Sequence, residues 1–265
     1  MKNEMLNILE KTYNNSFLRK RTVPLFMSNP GIGKTTIIQN FAKERNVGLT
    51  KIVLSQRMPN EVAGMVMPNS ETGKMEVFDS YELTNMKDGD ILFLEEVLNG
   101  TLKQTLDSVL NLLEDRTLPS GKRLADVMIV AASNPQGLIN ITPQIKERFI
   151  RYNLSFDAIS YRAHLKETYG IPEVISNHFC SLISKEKFEP NNWNYITPRS
   201  LEKAINQIGC DLDSSHDDLL LPILKQEIES PMDLKSLSIN KGDKVEFLNL
   251  FKEIIKYKND NTNKK

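Results

Sequence analysis

Two short stretches carry residue types that act together on phosphate. In MSNPGIGKTT (Met27–Thr36), Gly31 and Gly33 lead into Lys34 and Thr35. A glycine-rich turn between a strand and a helix lets successive backbone N–H groups wrap an anion, and the helix N-terminus adds its partial positive charge. A lysine at this place reaches the β and γ phosphates of a nucleotide, and the hydroxyl after it ligates Mg²⁺. Asn29, Pro30, Gly31, Ile32, Gly33, Lys34, Thr35 and Thr36 are therefore the candidate phosphate-binding residues. Ser28 stands where the pattern G-x-x-x-x-G-K-[ST] has its first glycine. That is a strand-exit position at which a small residue serves. The second stretch, ILFLEE (Ile91–Glu96), closes an apolar run with adjacent carboxylates. Glu95 is placed to join Thr35 around the metal, and Glu96 to orient or deprotonate an attacking water.

Three more side chains complete the candidate set. Asn134, in VAASNPQ, follows a strand, and strand C-termini of a parallel sheet line the ligand crevice. It either helps to place the water near the γ-phosphate or turns the chain before Pro135. Arg148, in IKERF, and Arg199, in TPRS, offer cations for charge developing on a transferred phosphoryl group, in cis or from a neighbouring chain. A surface salt bridge is the plain alternative for each.

Such a site needs strands to aim it. Thr22–Met27 reads as a buried strand running into the loop, and Thr36–Glu44 as a helix facing inward through Ile37, Ile38, Phe41 and Ala42. Strands are predicted over Leu49–Ser55, Asp90–Glu96, Ala125–Ser133 and Phe149–Phe156, a leading helix over Met5–Tyr13, and a long amphipathic helix over 100–116. Strands that alternate with helices and are nearly continuous in apolar residues imply a parallel sheet covered on both faces. After Asp157 the pattern becomes helical. DAISYRAHLKETYG is capped by Asp157, PEVISNHFCSLI follows, and Thr197 with Pro198 opens PRSLEKAINQI. Helical segments continue beyond 211, and NDNTNKK reads as a disordered end.

Bulk properties narrow the class. The chain has 265 residues, 40% hydrophobic and 26% charged, with a formal net charge of zero. It is long enough for one or two domains with a real core, and no global charge draws it to nucleic acid or an anionic membrane. Cys180 and Cys210 form no C-x-x-C pair, which fits reduced thiols in a cytosolic protein. The charged N-terminus and the lack of a membrane-length apolar run point to a cytoplasmic location.

Two stretches read as hairpins. VAGMVMPNSETGKMEVF has alternating apolar arms about a polar tip, and LEDRTLPSGKRLADV turns at Pro119-Ser120-Gly121. Met65, Met67 and Met75 in the first form either an adaptable gripping surface or packing for the hairpin on its own domain. The basic clusters Arg19-Lys20-Arg21 and Lys122-Arg123 are short and lack interleaved aromatics, so they read as solvated surface rather than as nucleic-acid contacts.

Taken in order, NPGIGKTT, ILFLEE, VAASNP, KERF and TPRS resemble the Walker A, Walker B, sensor 1, arginine finger and sensor 2 motifs of AAA+ ATPases. LDSVLNLLEDRTL narrows the resemblance to the dynein-related and MoxR-like branch, which also holds McrB-type motors. The resemblance covers about residues 20 to 205. It implies a P-loop AAA+ fold: a parallel five-stranded sheet flanked by helices, then a small all-helical lid domain. The implied division is an α/β domain over 1–156, a lid over 157–210 and a helical extension over 211–265. It further implies ATP with Mg²⁺ at Lys34, Thr35 and Glu95, catalysis by Glu96, a γ-phosphate sensor at Asn134, a trans finger at Arg148 and a lid contact at Arg199. In that branch the two hairpins face the pore of a ring, usually a hexamer. The implied work is ATP-driven remodelling of a protein client, often with a von Willebrand A domain partner. A DNA-acting motor, or a nucleotide-gated scaffold with slow hydrolysis, are the alternatives. Glu95 stands where aspartate is usual, one methylene longer.

Overall fold

The computed structural model describes residues 2–169, 171, 173–185 and 197–203. The segments expected beyond 211, Cys210 and the polar end lie outside the described residues. The chain divides into two units, Met1–Ser155 and Phe156–Lys265.

The first unit begins with helices α1 (Lys2–Asn14) and α2 (Ser16–Arg21), strand β1 (Pro24–Met27) and helix α3 (Lys34–Glu44). Next come β2 (Leu49–Val53), a 3-10 turn over Leu54–Gln56, α4 (Pro59–Ala63), the hairpin strands β3 (Met65–Pro68) and β4 (Met75–Phe78), and α5 (Tyr81–Thr84). Strand β5 (Ile91–Glu95), α6 (Lys103–Asp115), β6 (Met128–Ser133), α7 (Pro143–Arg148) and β7 (Ile150–Asn153) complete it. The large sheet has the order β2-β5-β6-β1-β7, and every pairing in it is parallel. This is the P-loop AAA+ arrangement that the sequence leads one to expect.

Alternation along the strands builds one core on each face. Phe26, Ile91, Phe93, Met128 and Val130 pack with Met5 and Leu9 of α1 and Ile37, Ile38 and Phe41 of α3. Leu25, Met27, Leu92, Leu94, Ile129 and Ala131 pack with Leu106, Val109, Leu112 and Leu113 of α6. Strands buried on both faces read as unbroken apolar runs, which is why ILFL and MIVAA were legible.

The strands are shorter than their apolar runs. The run from Leu49 leaves the sheet at Val53 and tightens into the 3-10 turn, and the run expected to start at Ala125 joins the sheet only at Met128. At β5 the strand stops at Glu95, because Glu96 adopts a left-handed backbone with φ 56. The short helix α2 had no periodic signal in the sequence. The Asn15 side chain caps it by accepting from Phe17 N at 3.0 Å and Leu18 N at 3.1 Å.

The two hairpins differ. Strands β3 and β4 pair antiparallel about the Asn69–Lys74 tip, and α4 and α5 flank them in sequence. The second is a turn with a single bridge, Thr117 to Arg123. Its turn lies at the expected residues, with Gly121 at φ 87 and its N–H donating to Leu118 O at 2.8 Å. Leu118 and Leu124 are buried, so this hairpin packs on its own unit.

In the second unit the described residues form α8 (Ala158–Tyr169), α9 (Glu173–Lys185) and a helical turn from Pro198. Asp157 caps α8 by accepting from Ser160 N at 3.1 Å, and the Ser160 hydroxyl holds its carboxyl down to about 2. Cys180 is buried and free, and burial pushes its thiol up. Among the described residues, no helix is long and apolar enough to cross a membrane.

Candidate active site

The C-terminal edge of the parallel sheet gathers most of the candidate residues. In register, Met27 pairs with Ser133, Glu95 with Ala132, and Val53 with Glu95. The segments leaving β1, β2, β5 and β6 therefore emerge side by side, and they carry Ser28, Ser55, Glu96 and Asn134. This is the crevice position at which open α/β sheets bind ligands.

The loop from Ser28 to Gly33 turns through Gly31 at φ 78 and Gly33 at φ 96. Space is open where a Gly33 side chain would stand, so glycine is needed there for its conformation rather than for room. Gly33 is the N-cap of α3, and no side chain caps that helix. The α3 N-terminus thus presents donors and positive dipole to an anion.

Lys34, the first residue of α3, folds its ammonium back over the strand exit. Its Nζ donates to Ser28 Oγ at 2.7 Å, Ser28 O at 3.0 Å, Asn134 Oδ1 at 3.1 Å and Asn29 O at 3.4 Å. Ser28, the departure from the loop pattern, is buried and supplies one of these acceptors.

Beside it, the Thr35 hydroxyl donates to Glu95 Oε1, and Lys51 Nζ pairs with Glu95 Oε2. A hydroxyl and a carboxylate in contact form the hard-oxygen pair that suits Mg²⁺, so these residues fit the cation implied by the sequence. Among the described residues, no cluster of three or more His, Cys, Asp or Glu forms a metal cage.

Glu96 is turned off the strand by its left-handed backbone, a conformation that costs free energy in a non-glycine residue and concentrates at functional sites. Its carbonyl accepts from Asn99 N at 3.1 Å and Thr101 Oγ1 at 2.9 Å. Its carboxylate accepts from the Ser55 hydroxyl. Asn134 sits between Lys34, through its Oδ1, and Asn99, through its backbone N–H and C=O.

Arg148 is held elsewhere. It ends α7 and pairs with Glu114 of α6, while its Nε is buried with no hydrogen-bond partner among the described residues. The two residues line a cavity of about 680 Å³ together with Lys20, Arg21, Arg116 and Arg123. Burial holds the Arg116 guanidinium down to about 10. Arg199 lies in the second unit, in a turn that Thr197 caps by accepting from Ser200 N at 3.0 Å.

Sequence reasoning missed four residues that the structure brings into the site. Lys51 pairs in register with Phe93, two residues before Glu95 on β5, and Ser55 follows β2 and donates to Glu96. Asn99 and Gln136 bind the loops together, Gln136 through a 3.0 Å bond from its Nε2 to Asn29 Oδ1. Only the strand register, once β2 and β5 are adjacent, points to Lys51 and Ser55; no local pattern marks any of the four.

Comparison with known proteins agrees with this geometry. Residues 25–149 match the family model described as the AAA domain of the dynein-related subfamily. A Thermotoga maritima RuvB mutant superposes with a TM-score of 0.57 at 15% identity, covering 84% of this chain and 69% of that one. The RuvB Holliday junction branch migration motor from the same organism gives a TM-score of 0.54 at 15% identity, over 85% and 67%. At that identity the likeness is one of fold. Together with the strand-edge site, the match makes residues 25–149 similar to the AAA domain of the dynein-related subfamily.

Proposed function

We propose that the chain is a ring-forming, Mg²⁺-dependent ATPase that remodels a protein client, of the MoxR-like kind. The observation that carries the hydrolytic part is the meeting of Lys34, Thr35, Glu95, Glu96 and Asn134 at one sheet edge. The loop N–H groups from Asn29 to Thr36 and the Lys34 ammonium bind the phosphates. Thr35 and Glu95 would hold Mg²⁺, which would supply charge neutralisation to the phosphates. Glu96 receives the proton of the attacking water, and Asn134 orients that water against the γ-phosphate. Arg148 from a neighbouring subunit and Arg199 from the lid stabilise the charge that spreads over the transferred group.

The proposed domains are the ATPase over 1–156, a lid over 157–210 and an extension over 211–265, and the division after Ser155 supports the first boundary. A hexamer and a von Willebrand A domain partner belong to the same reading.

Support for a protein client comes from the β3–β4 hairpin. Met65 is 47% exposed, Met67 45%, Met75 64% and Phe78 48%. These side chains leave about half or more of their apolar surface uncovered, and flexible thioethers adapt to varied apolar partners. The basic clusters give a DNA client less support, because Arg19 and Lys20 are both engaged by Asp126.

ATP and GTP turnover by the full chain across protein concentration, with light scattering on the same samples, tests this reading. Turnover should rise steeply with assembly, and Glu96→Gln should lower it by about 100-fold or more. Nucleotide binding without turnover at any concentration would replace the motor with a nucleotide-gated scaffold.

A further inference from the structure

We propose that Asn99 is a positioning residue for hydrolysis: it fixes the Glu96 turn and the Asn134 loop to each other as one unit. The inference rests on the ATPase reading and assigns to Asn99 a role exerted through Glu96 and Asn134.

The side-chain amide of Asn99 uses its full hydrogen-bonding capacity. Its Oδ1 accepts from Ser133 Oγ at 2.6 Å and Asn134 N at 2.7 Å, and its Nδ2 donates to Asn134 O at 3.0 Å and Gln136 O at 2.6 Å. An amide offers two donors and two good acceptor directions, so these partners fix its orientation without ambiguity. The backbone N–H of the same residue donates to Glu96 O at 3.1 Å. One residue therefore spans the gap between Glu96 and Asn134.

The connection continues into the phosphate loop at two points. Asn134 Oδ1 accepts from Lys34 Nζ, and Gln136 Nε2 donates to Asn29 Oδ1. Ser133 extends it in the other direction, since its hydroxyl accepts from Leu98 N at 2.9 Å. All four hydrogen-bonding positions of the Asn99 amide are used, and connected hydrogen bonds of this kind hold their geometry more firmly than they would separately. Hydrolysis needs that firmness because small misplacements of a water or a sensor are costly. Asparagine is needed for its chemistry: a carboxylate keeps the two accepting contacts but sets a negative charge against the carbonyls of Asn134 and Gln136.

The test uses the full chain and the variants Asn99→Ala, Asn99→Asp, Asn134→Ala and the Asn99→Ala/Asn134→Ala double. Turnover, affinity for a fluorescent ATP analogue and thermal midpoint are measured for each. The expected result is a kcat lower by about 100-fold in Asn99→Ala, with analogue affinity changed by about 3-fold or less. Asn99→Asp should fall similarly, which keeps the test informative if the alanine variant does not fold. In the Asn134→Ala background, loss of Asn99 should cost about 3-fold or less further, because residues acting as one unit are not additive. Additive losses in the double variant, or kcat and affinity falling together with the thermal midpoint, would reduce Asn99 to a structural residue. A wild type that never turns over ATP sinks the ATPase reading itself. A wild type that turns over while Asn99→Ala and Asn99→Asp keep its kcat sinks only this inference.

Discussion

The phosphate edge and the Arg148 surface both belong to the first unit, yet they hold their charges in opposite ways. At the sheet edge the charged groups are met from within the unit: Lys34 lies over four oxygens, Glu95 between Thr35 and Lys51, and Glu96 against Ser55. Among the described residues Arg148 has one ion pair, with a Glu114 side chain that is 50% exposed, and a buried Nε without a hydrogen-bond partner. A buried donor left unmade costs about 1–3 kcal/mol, whereas an exposed ion pair contributes at most about 1 kcal/mol. The edge pairs its charges within the unit, whereas on the proposed reading an incoming anion would meet the unused Arg148 Nε. A shared active site would have this form, one half complete in the subunit and the other awaiting a neighbour.

Arg148→Ala is the strongest way to break that comparison. If the guanidinium completes a neighbour's site, turnover should fall by about 1,000-fold, with nucleotide affinity nearly unchanged. Mixing this variant with Glu96→Gln should then restore turnover, since each supplies the half the other lacks. Unchanged turnover, or no recovery on mixing, would confine Arg148 to its bridge with Glu114.

The contrast also explains what the sequence made legible. The sheet was readable because strands covered on both faces leave long apolar runs, and α3 and α6 because their inward residues recur at helical spacing. Strand ends were overestimated because apolar character continues past the last pairing, as at Leu54 and Val127, which are buried outside the strands. The phosphate loop and the carboxylates were readable because their chemistry is concentrated in adjacent residues. Lys51, Ser55, Asn99 and Gln136 were not, since their partners arrive through strand order and loop packing, which no local spacing encodes. For Met65, Met67 and Met75 the sequence left two readings open, and their exposure supports the proposed gripping surface.

A finer test falls on Ser28. The Lys34 ammonium has three protons and lies over four protein oxygens, so a phosphate must displace at least one of them. Ser28→Gly removes the closest, a hydrogen bond to a charged donor of the kind that contributes about 1.5–3 kcal/mol. Nucleotide affinity should therefore tighten by about 10-fold, read by equilibrium titration of a fluorescent ATP analogue. Weaker binding would show that the hydroxyl presents Lys34 to the phosphate rather than retaining it, and the edge would be more fully prepared than the comparison allows.

The smallest effect belongs to Glu114. In the isolated subunit its carboxylate competes with any anion that a neighbour brings to Arg148. Glu114→Gln keeps the shape and a hydrogen-bond acceptor but removes the charge, which weakens a partly exposed pair by about 0.5 kcal/mol. That corresponds to about a 2-fold change in an equilibrium. The protein concentration at half-maximal turnover should fall by that factor, because Arg148 then leaves its own subunit more readily. The maximal rate should stay the same, since the assembled site is identical in both proteins. A lower maximal rate at unchanged half-maximal concentration would instead place Glu114 in the assembled site, and the two halves would no longer divide between a finished edge and a waiting cation.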